Sequence, residues 1–386
     1  MKYWRGYLVA AIFAALTWAL VEFAKAHSVL VDMIYPYVTR LLVSSMADWT
    51  GSMPFCLWQV LLIGMVVVGI VTIILMILLK WNVVQWFGWV LAAISCVGML
   101  NTGIFGLNKY ASPIADDVCL TMLDYSVSEL NEASAFFLEK ANALAAEVPR
   151  DGEGNPDFGT FEELAAQAGE GYTNLTYDQA ISVFAGSTAP VKKLGWTSFF
   201  GGRFGKTVAI TGEAAVNPHV PAAVLPFAMC NEMAHRMSIY SDSDAAFAAF
   251  LAGSSNSSKA FQYSAYLMAY SYCFEAMKTL PTDVAREYTL ALDQKVSPQL
   301  RTDMKSYEEF FGAPVAENNR GEIPEMAKNE NSPIRFSEYT GVADLLTNWY
   351  IQNYITPLHV EEDIPFDPLD PTQVDLSGLV NAKKPE

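Results

Sequence analysis

Twenty consecutive residues, Val60 to Leu79, carry no charge and a single hydroxyl, Thr72. As a helix, this run covers the roughly 30 Å hydrocarbon core of a bilayer, so it reads as a membrane crossing stopped by Lys80. Two further runs behave alike. Gly6 to Val21 is free of charge and approaches the same length with Trp4 and Phe23. Trp81 to Leu107 is also uncharged, and its Trp81, Trp86 and Trp89 suit the aromatic belt at a membrane surface. Lys2 and Arg5 before the first run and Ala24-Lys25-Ala26 after it also fit a cleavable signal. The long apolar stretch and the badly placed Glu22 favour a retained span. The expected crossings are therefore about 4–24, 58–79 and 83–106. Residues 28–52 mix apolar side chains with Asp32, Pro36, Arg40 and Asp48, which predicts an interfacial helical hairpin and not a crossing.

The charges divide the chain in the same place. Of 24 basic and 41 acidic residues, only five basic and three acidic lie in 1–106, leaving 19 and 38 beyond. A membrane anchor over 1–107, an acidic domain over 108–357 and an acidic, proline-containing tail over 358–386 follow. Such a surface excludes nucleic acid and anionic headgroups as partners of the domain. The five cysteines show no C-x-x-C spacing, against a disulfide framework or a structural zinc site. Lys2, Arg5 and Lys80 mark the cytoplasmic side, so three crossings deliver the domain outside the cell membrane.

Within the domain the pattern is mainly α. Apolar spacing predicts a long helix over 118–145, short helices over 161–168 and 177–185, then helices over 227–239, 242–253, 258–278, 282–294, 297–311 and 336–354. Residues 312–334 read as loop. The alternation Thr207-Val208-Ala209-Ile210-Thr211 is the main strand candidate.

The chemistry concentrates in Phe227 to Leu251. Asn231-Glu232-Met233-Ala234-His235 has the form of the zinc-protease motif H-E-x-x-H with its first histidine replaced by asparagine. Positions four apart share one helix face, where two histidines would ligate one ion and the glutamate would polarise its water. Glu232 and His235 alone are equally an ordinary i, i+3 surface pair. A third ligand would come from the next helix. Asp242 and Asp244 are suitably placed, but Ser241-x-x-Asp244 is also a capping-box spacing, and both readings stand. His219 and His359 are read as surface residues. Cys230 and His235 lie about 140° apart on a helix and cannot form a thiol dyad.

Several stretches resemble a bacterial three-span membrane protein family of unknown function with an extracytoplasmic, gluzincin-like H-E-x-x-H domain. They are Met53-Pro54-Phe55, Gly106-Leu107-Asn108-Lys109-Tyr110, Thr211-Gly212-Glu213-Ala214-Ala215-Val216-Asn217, the central stretch, Phe261-Gln262-Tyr263-Ser264-Ala265-Tyr266-Leu267, Ser337-Glu338-Tyr339 and Asp344-Leu345-Leu346. The resemblance implies three N-terminal transmembrane helices and a helical zincin-like domain with a small β element before the central helix. It casts Glu232 as general base, His235 as metal ligand, and Asp244 and Asn231 where that family has glutamate and histidine ligands. It places Glu213 on a strand edging the cleft, able to pair with an extended substrate. With asparagine a poor zinc donor, the expectation is a weakened or metal-free site and an impaired peptidase. The alternative is a non-catalytic membrane scaffold that binds a peptide or envelope partner.

Overall fold

The computed structural model describes residues 4–196, 204–311, 333–334 and 341–355. It is mainly helical, with apolar helices at the N-terminal end and two small sheets. Four helices are long and apolar enough to cross a membrane: α1 (Arg5–Ala26), α2 (Ser28–Gly51), α3 (Leu57–Leu78) and α4 (Val83–Ile104). They mark the chain as a membrane protein. Crossings expected over 4–24, 58–79 and 83–106 correspond to α1, α3 and α4. The hairpin expected over 28–52 is instead one continuous helix that carries Pro36 inside it. Thr39 Oγ1 donates to the Pro36 carbonyl, and packing along the whole length of α2 keeps it a single rod.

α1 and α4 cross where glycine meets glycine. A Cβ on Gly6 would stand 2.4 Å from the Gly88 carbonyl carbon, so only bare backbone permits the approach. The hydrophobic residues of α3 are exposed on all sides, and Gln59 is its one buried residue.

After α5 (Ile114–Asp117), a two-residue strand β1 (Tyr125–Ser126) leads into α6 (Val127–Glu147). The helix expected from 118 starts nine residues later because Ser126 caps it. Its hydroxyl accepts from the Glu129 N–H while the Glu129 carboxylate accepts from the Ser126 N–H. α7 (Phe161–Gln167) matches expectation, but the next helix, α8, occupies Glu170–Tyr177, ahead of the 177–185 expected. The strand expected over 207–211 is two: β3 (Gly205–Val208) and β4 (Glu213–Val216) pair antiparallel around a turn at 209–212. With β2 (Lys192–Lys193) they form a sheet in the order β2-β4-β3.

Then come α9 (Leu225–Arg236), α10 (Asp242–Ser254), α11 (Lys259–Lys278), α12 (Asp283–Lys295) and α13 (Pro298–Phe311). β5 (Pro333–Ile334) pairs with β1, and α14 (Val342–Tyr350) runs on into a wider turn over Ile351–Ile355. The start of the helix expected at 336, most of the loop at 312–334 and the tail at 358–386 lie outside the described residues.

The core lies between α6, α9, α10, α11 and α14. Phe137 is wholly buried, with Phe250 edge-on and Trp349 stacked against it. Truncating such a ring to alanine costs about 3–5 kcal/mol. α9 is at the centre, and ten of its twelve residues are buried, Asn231 and Glu232 among them.

Candidate functional site

Pro226 opens α9 at a position where a missing N–H costs no hydrogen bond, and the helix ends before Ser238, whose φ is 72°. That reversal turns the chain back over the last turn and fixes His235. Its Nδ1–H donates to the Ile239 carbonyl at 2.9 Å, because a carbonyl only accepts. The other nitrogen, Nε2, is 3.6 Å from Asp242 Oδ1, beyond hydrogen-bond reach. Asp242 itself is largely in solvent, with 84% of its side chain exposed.

Glu232 is enclosed, at 5% exposure. The Thr207 hydroxyl on β3 lies 2.8 Å from both Glu232 Oε2 and the Glu232 carbonyl, its one hydrogen shared between them. Burial raises the carboxyl above its ordinary range, against the opposing pull of His235, Thr207 and Lys206. β3 runs so close over α9 that a Cβ on Gly205 would meet Glu232 Cγ at 2.8 Å. Asn231 is 6% exposed, one helical turn before His235.

Asp244 is turned elsewhere. Its N–H is capped by Ser241 Oγ at 3.0 Å, so the capping role read from Ser241-x-x-Asp244 is realised. Its carboxylate takes hydrogen bonds from the Ser241 hydroxyl and the Ile114 N–H at the head of α5, while burial raises its pKa. It lines a cavity of about 530 Å³ with Asp32, Arg40, Asn108, Asp117 and Tyr240, and neither Asn231, Glu232 nor His235 borders that space. The structure thus brings His235 and Asp242 toward each other, while the Asp244 carboxylate is taken up by Ser241 and Ile114.

This donor set does not fit a catalytic zinc, which needs three protein ligands and an open position. Asparagine is neutral and the Asp244 oxygens are held by Ile114 and Ser241; His235 alone is set as a ligand would be, since an Nδ1–H bond to a carbonyl leaves Nε2 to face an ion. Among the described residues no three His, Cys, Asp or Glu side chains gather where they could hold one ion. His219 is exposed, as expected of a surface residue; His359 lies outside the described residues. Cys230 is fully buried with its thiol pushed far up by desolvation, and bonds to the Ala168 carbonyl at 3.9 Å.

Glu213 is not at an edge. It lies on β4, the central strand, and its carboxylate caps the start of α3, accepting from Leu57 N–H at 2.7 Å and Trp58 N–H at 2.9 Å. Lys192 pairs with it at 2.7 Å and also donates to the Thr50 and Phe55 carbonyls, each at 2.8 Å. Sequence reasoning missed Lys192 and Thr207. The signal available for Lys192 was the pair Lys192-Lys193 in an otherwise uncharged stretch; Thr207 carried none.

Both α3 and the site helices fall inside one matched stretch: residues 31–331 fit the model of DUF3810, described as a protein of unknown function. The chain belongs to the DUF3810 family. The family stretch starts inside α2 and takes in α3, α4, the β2-β4-β3 sheet and α9 to α13, leaving α1 and α14 outside it. No curated protein and no solved structure matches the chain.

Proposed function

We propose that this DUF3810 member is a membrane-anchored, extracytoplasmic domain of gluzincin-like descent whose metal site is degenerate, acting as a non-catalytic scaffold. The observation that carries the reading is the position of Asp244. The residue that would supply the third ligand holds α5 and its own helix start, while position 231 offers a neutral amide. Glu232, the general base of the implied mechanism, already has its Oε2 bonded to the Thr207 hydroxyl of β3. What remains is a rigid helix flanked by β3, the edge strand nearest to it. An extended peptide or envelope partner adding to that edge is the binding mode such a strand offers.

The test is zinc content and peptide hydrolysis of the full chain purified in detergent without added metal, beside Asn231→His and Asn231→His/Asp244→Glu. We expect well below one zinc per chain and no hydrolysis in the natural sequence, with zinc rising in the double variant. One zinc per chain together with peptide cleavage by the unmodified protein overturns the proposal.

A further inference from the structure

α2 is about 36 Å long at 24 residues, enough to cross a bilayer by length alone. Its side chains say otherwise. Viewed along its four-residue ridges, one ridge (Val31, Tyr35, Thr39, Val43, Ala47) packs inward. The next (Asp32, Pro36, Arg40, Ser44, Asp48) is bonded to the domain from the first turn to the last. Asp32 accepts from Ser112 N–H at 2.7 Å, and Arg40 donates to the Ser182 carbonyl at 2.9 Å and the Met237 carbonyl at 3.2 Å. Ser44 and Asp48 accept from the N–H and hydroxyl of Ser187 at 2.9 and 2.5 Å, and Thr50 donates to the Thr211 carbonyl at 3.1 Å. Gly212, at φ 67°, brings that turn against α2 where a Cβ would stand 2.3 Å from Ala47 N.

The remaining ridges are apolar and bare. Met33, Tyr37, Leu41 and Trp49 are 57–71% exposed, and Leu30, Ile34, Val38 and Leu42 are 41–51% exposed. Were α2 to cross, loop backbone at 112, 182–187, 211 and 237 would lie within the hydrocarbon, which irregular backbone facing lipid cannot do. Both ends of α2 nevertheless join membrane helices, through His27 to α1 and through residues 52–56 to α3. The end of α4 meets it as well, since Tyr35 donates to the Thr102 carbonyl at 3.1 Å.

We infer that α2 lies flat in the headgroup–acyl boundary, its bare ridges in lipid, and seats the whole domain on the bilayer. The lipid surface is the occupant because the helix is continuous with crossings at both ends. Three crossings follow, α1, α3 and α4, with the N-terminus and the domain on opposite faces. This conclusion is independent of the metal site.

A fluorescent amino acid placed in turn at Met33, Tyr37, Leu41 and Ser45 of the full chain reads it directly. The vesicles are phosphatidylethanolamine and phosphatidylglycerol, carrying nitroxide at fixed acyl depths. We expect all four sites to be quenched best by the same shallow nitroxide, about 5–10 Å into the boundary. A crossing helix would instead spread them over about 18 Å. A depth gradient, or quenching from water alone, overturns the inference. Continued protection of Cys230 from thiol reagents confirms that each variant is folded. Independently, an N-terminal tag and Lys109 should be reachable from opposite faces; access from one face means four crossings and refutes the flat helix.

Discussion

Replacing Glu213 by alanine tests the joint between the domain and its anchor. The carboxylate has no exposed side-chain surface and Lys192 only 11%, so neither is rescued by water. Alanine orphans two N–H groups at the head of α3, which no turn of that helix can satisfy. It also leaves the Lys192 ammonium with two carbonyls and no counter-charge. Breaking one member of a buried pair costs about 3–5 kcal/mol. For a domain of this size that lowers the melting temperature by about 6–20 °C. Heating the full chain in detergent with a thiol-reactive dye follows it, because Cys230 and Cys273 are 0% exposed and report global opening. Cys56 is 4% exposed beside the joint and donates to the Lys193 carbonyl at 3.3 Å, so of the three buried thiols it should react first, below the global transition and after the exposed Cys119. Lys192→Met alone and with Glu213→Ala completes a cycle, with a coupling of about 1–3 kcal/mol expected. A melting shift under about 3 °C with Cys56 still protected would refute the reasoning.

Glu232→Gln should stabilise the protein at pH 8. The folded pKa lies above the unfolded one, so the ionised form is penalised in the fold as pH rises, and the advantage of Gln should vanish toward pH 4. Thermal scans across that range check the sign; an advantage that grows as pH falls contradicts it. Gly6→Leu should prise α1 from α4 and lower thermal stability in detergent, whereas Gly64→Leu, with nothing within 4 Å of its Cβ position, should not. Tyr263→Phe removes one bond to Asp303 but leaves Arg150 at 2.8 Å, a loss of about 1–2 kcal/mol. Arg150→Ala strands a carboxylate of 2% exposure and should cost about 3–5 kcal/mol; equal losses by chemical denaturation would sink this ordering.

The long apolar helices α1, α3 and α4 were legible because the absence of charge over about twenty residues needs no knowledge of tertiary structure. Helices α10 to α13 were legible for a related reason, since each is a continuous local pattern and α10 and α12 also carry an N-cap hydroxyl at Ser241 and Thr282. The misplaced start of α6 was a failure to weigh Ser126-x-x-Glu129, a capping box plainly present, against apolar spacing that ran on upstream. The turn at 209–212 was hidden because Ala209 and Ile210 continue the alternation of a strand. For α2, Pro36 and three charges argued for a break, yet each charged group finds its partner on a segment distant in sequence. The same holds at the site. Asn231, Glu232 and His235 could be placed on one helix from sequence, but the direction of Asp244 depends on Ile114, 130 residues earlier.

The last two observations bear on each other. α9 is held from both sides: Thr207 and Gly205 of β3 press on Glu232, while α2 holds Met237 and Ser238 just past His235, through Arg40 and through a 3.1 Å bond from Thr39 Oγ1 to Ser238 Oγ. A working peptidase must admit a substrate carbonyl beside its glutamate, and here the β3 hydroxyl already fills that hydrogen bond. On the proposed reading, Glu232 and Asp244 each have a structural partner, Thr207 for the one and Ser241 with Ile114 for the other. On that reading Asn231→His supplies a donor without freeing Glu232 from Thr207, so zinc content should rise, most in Asn231→His/Asp244→Glu, before any hydrolysis is seen. The end of α9 is thus bonded to α2, the helix inferred above to seat the domain on the bilayer.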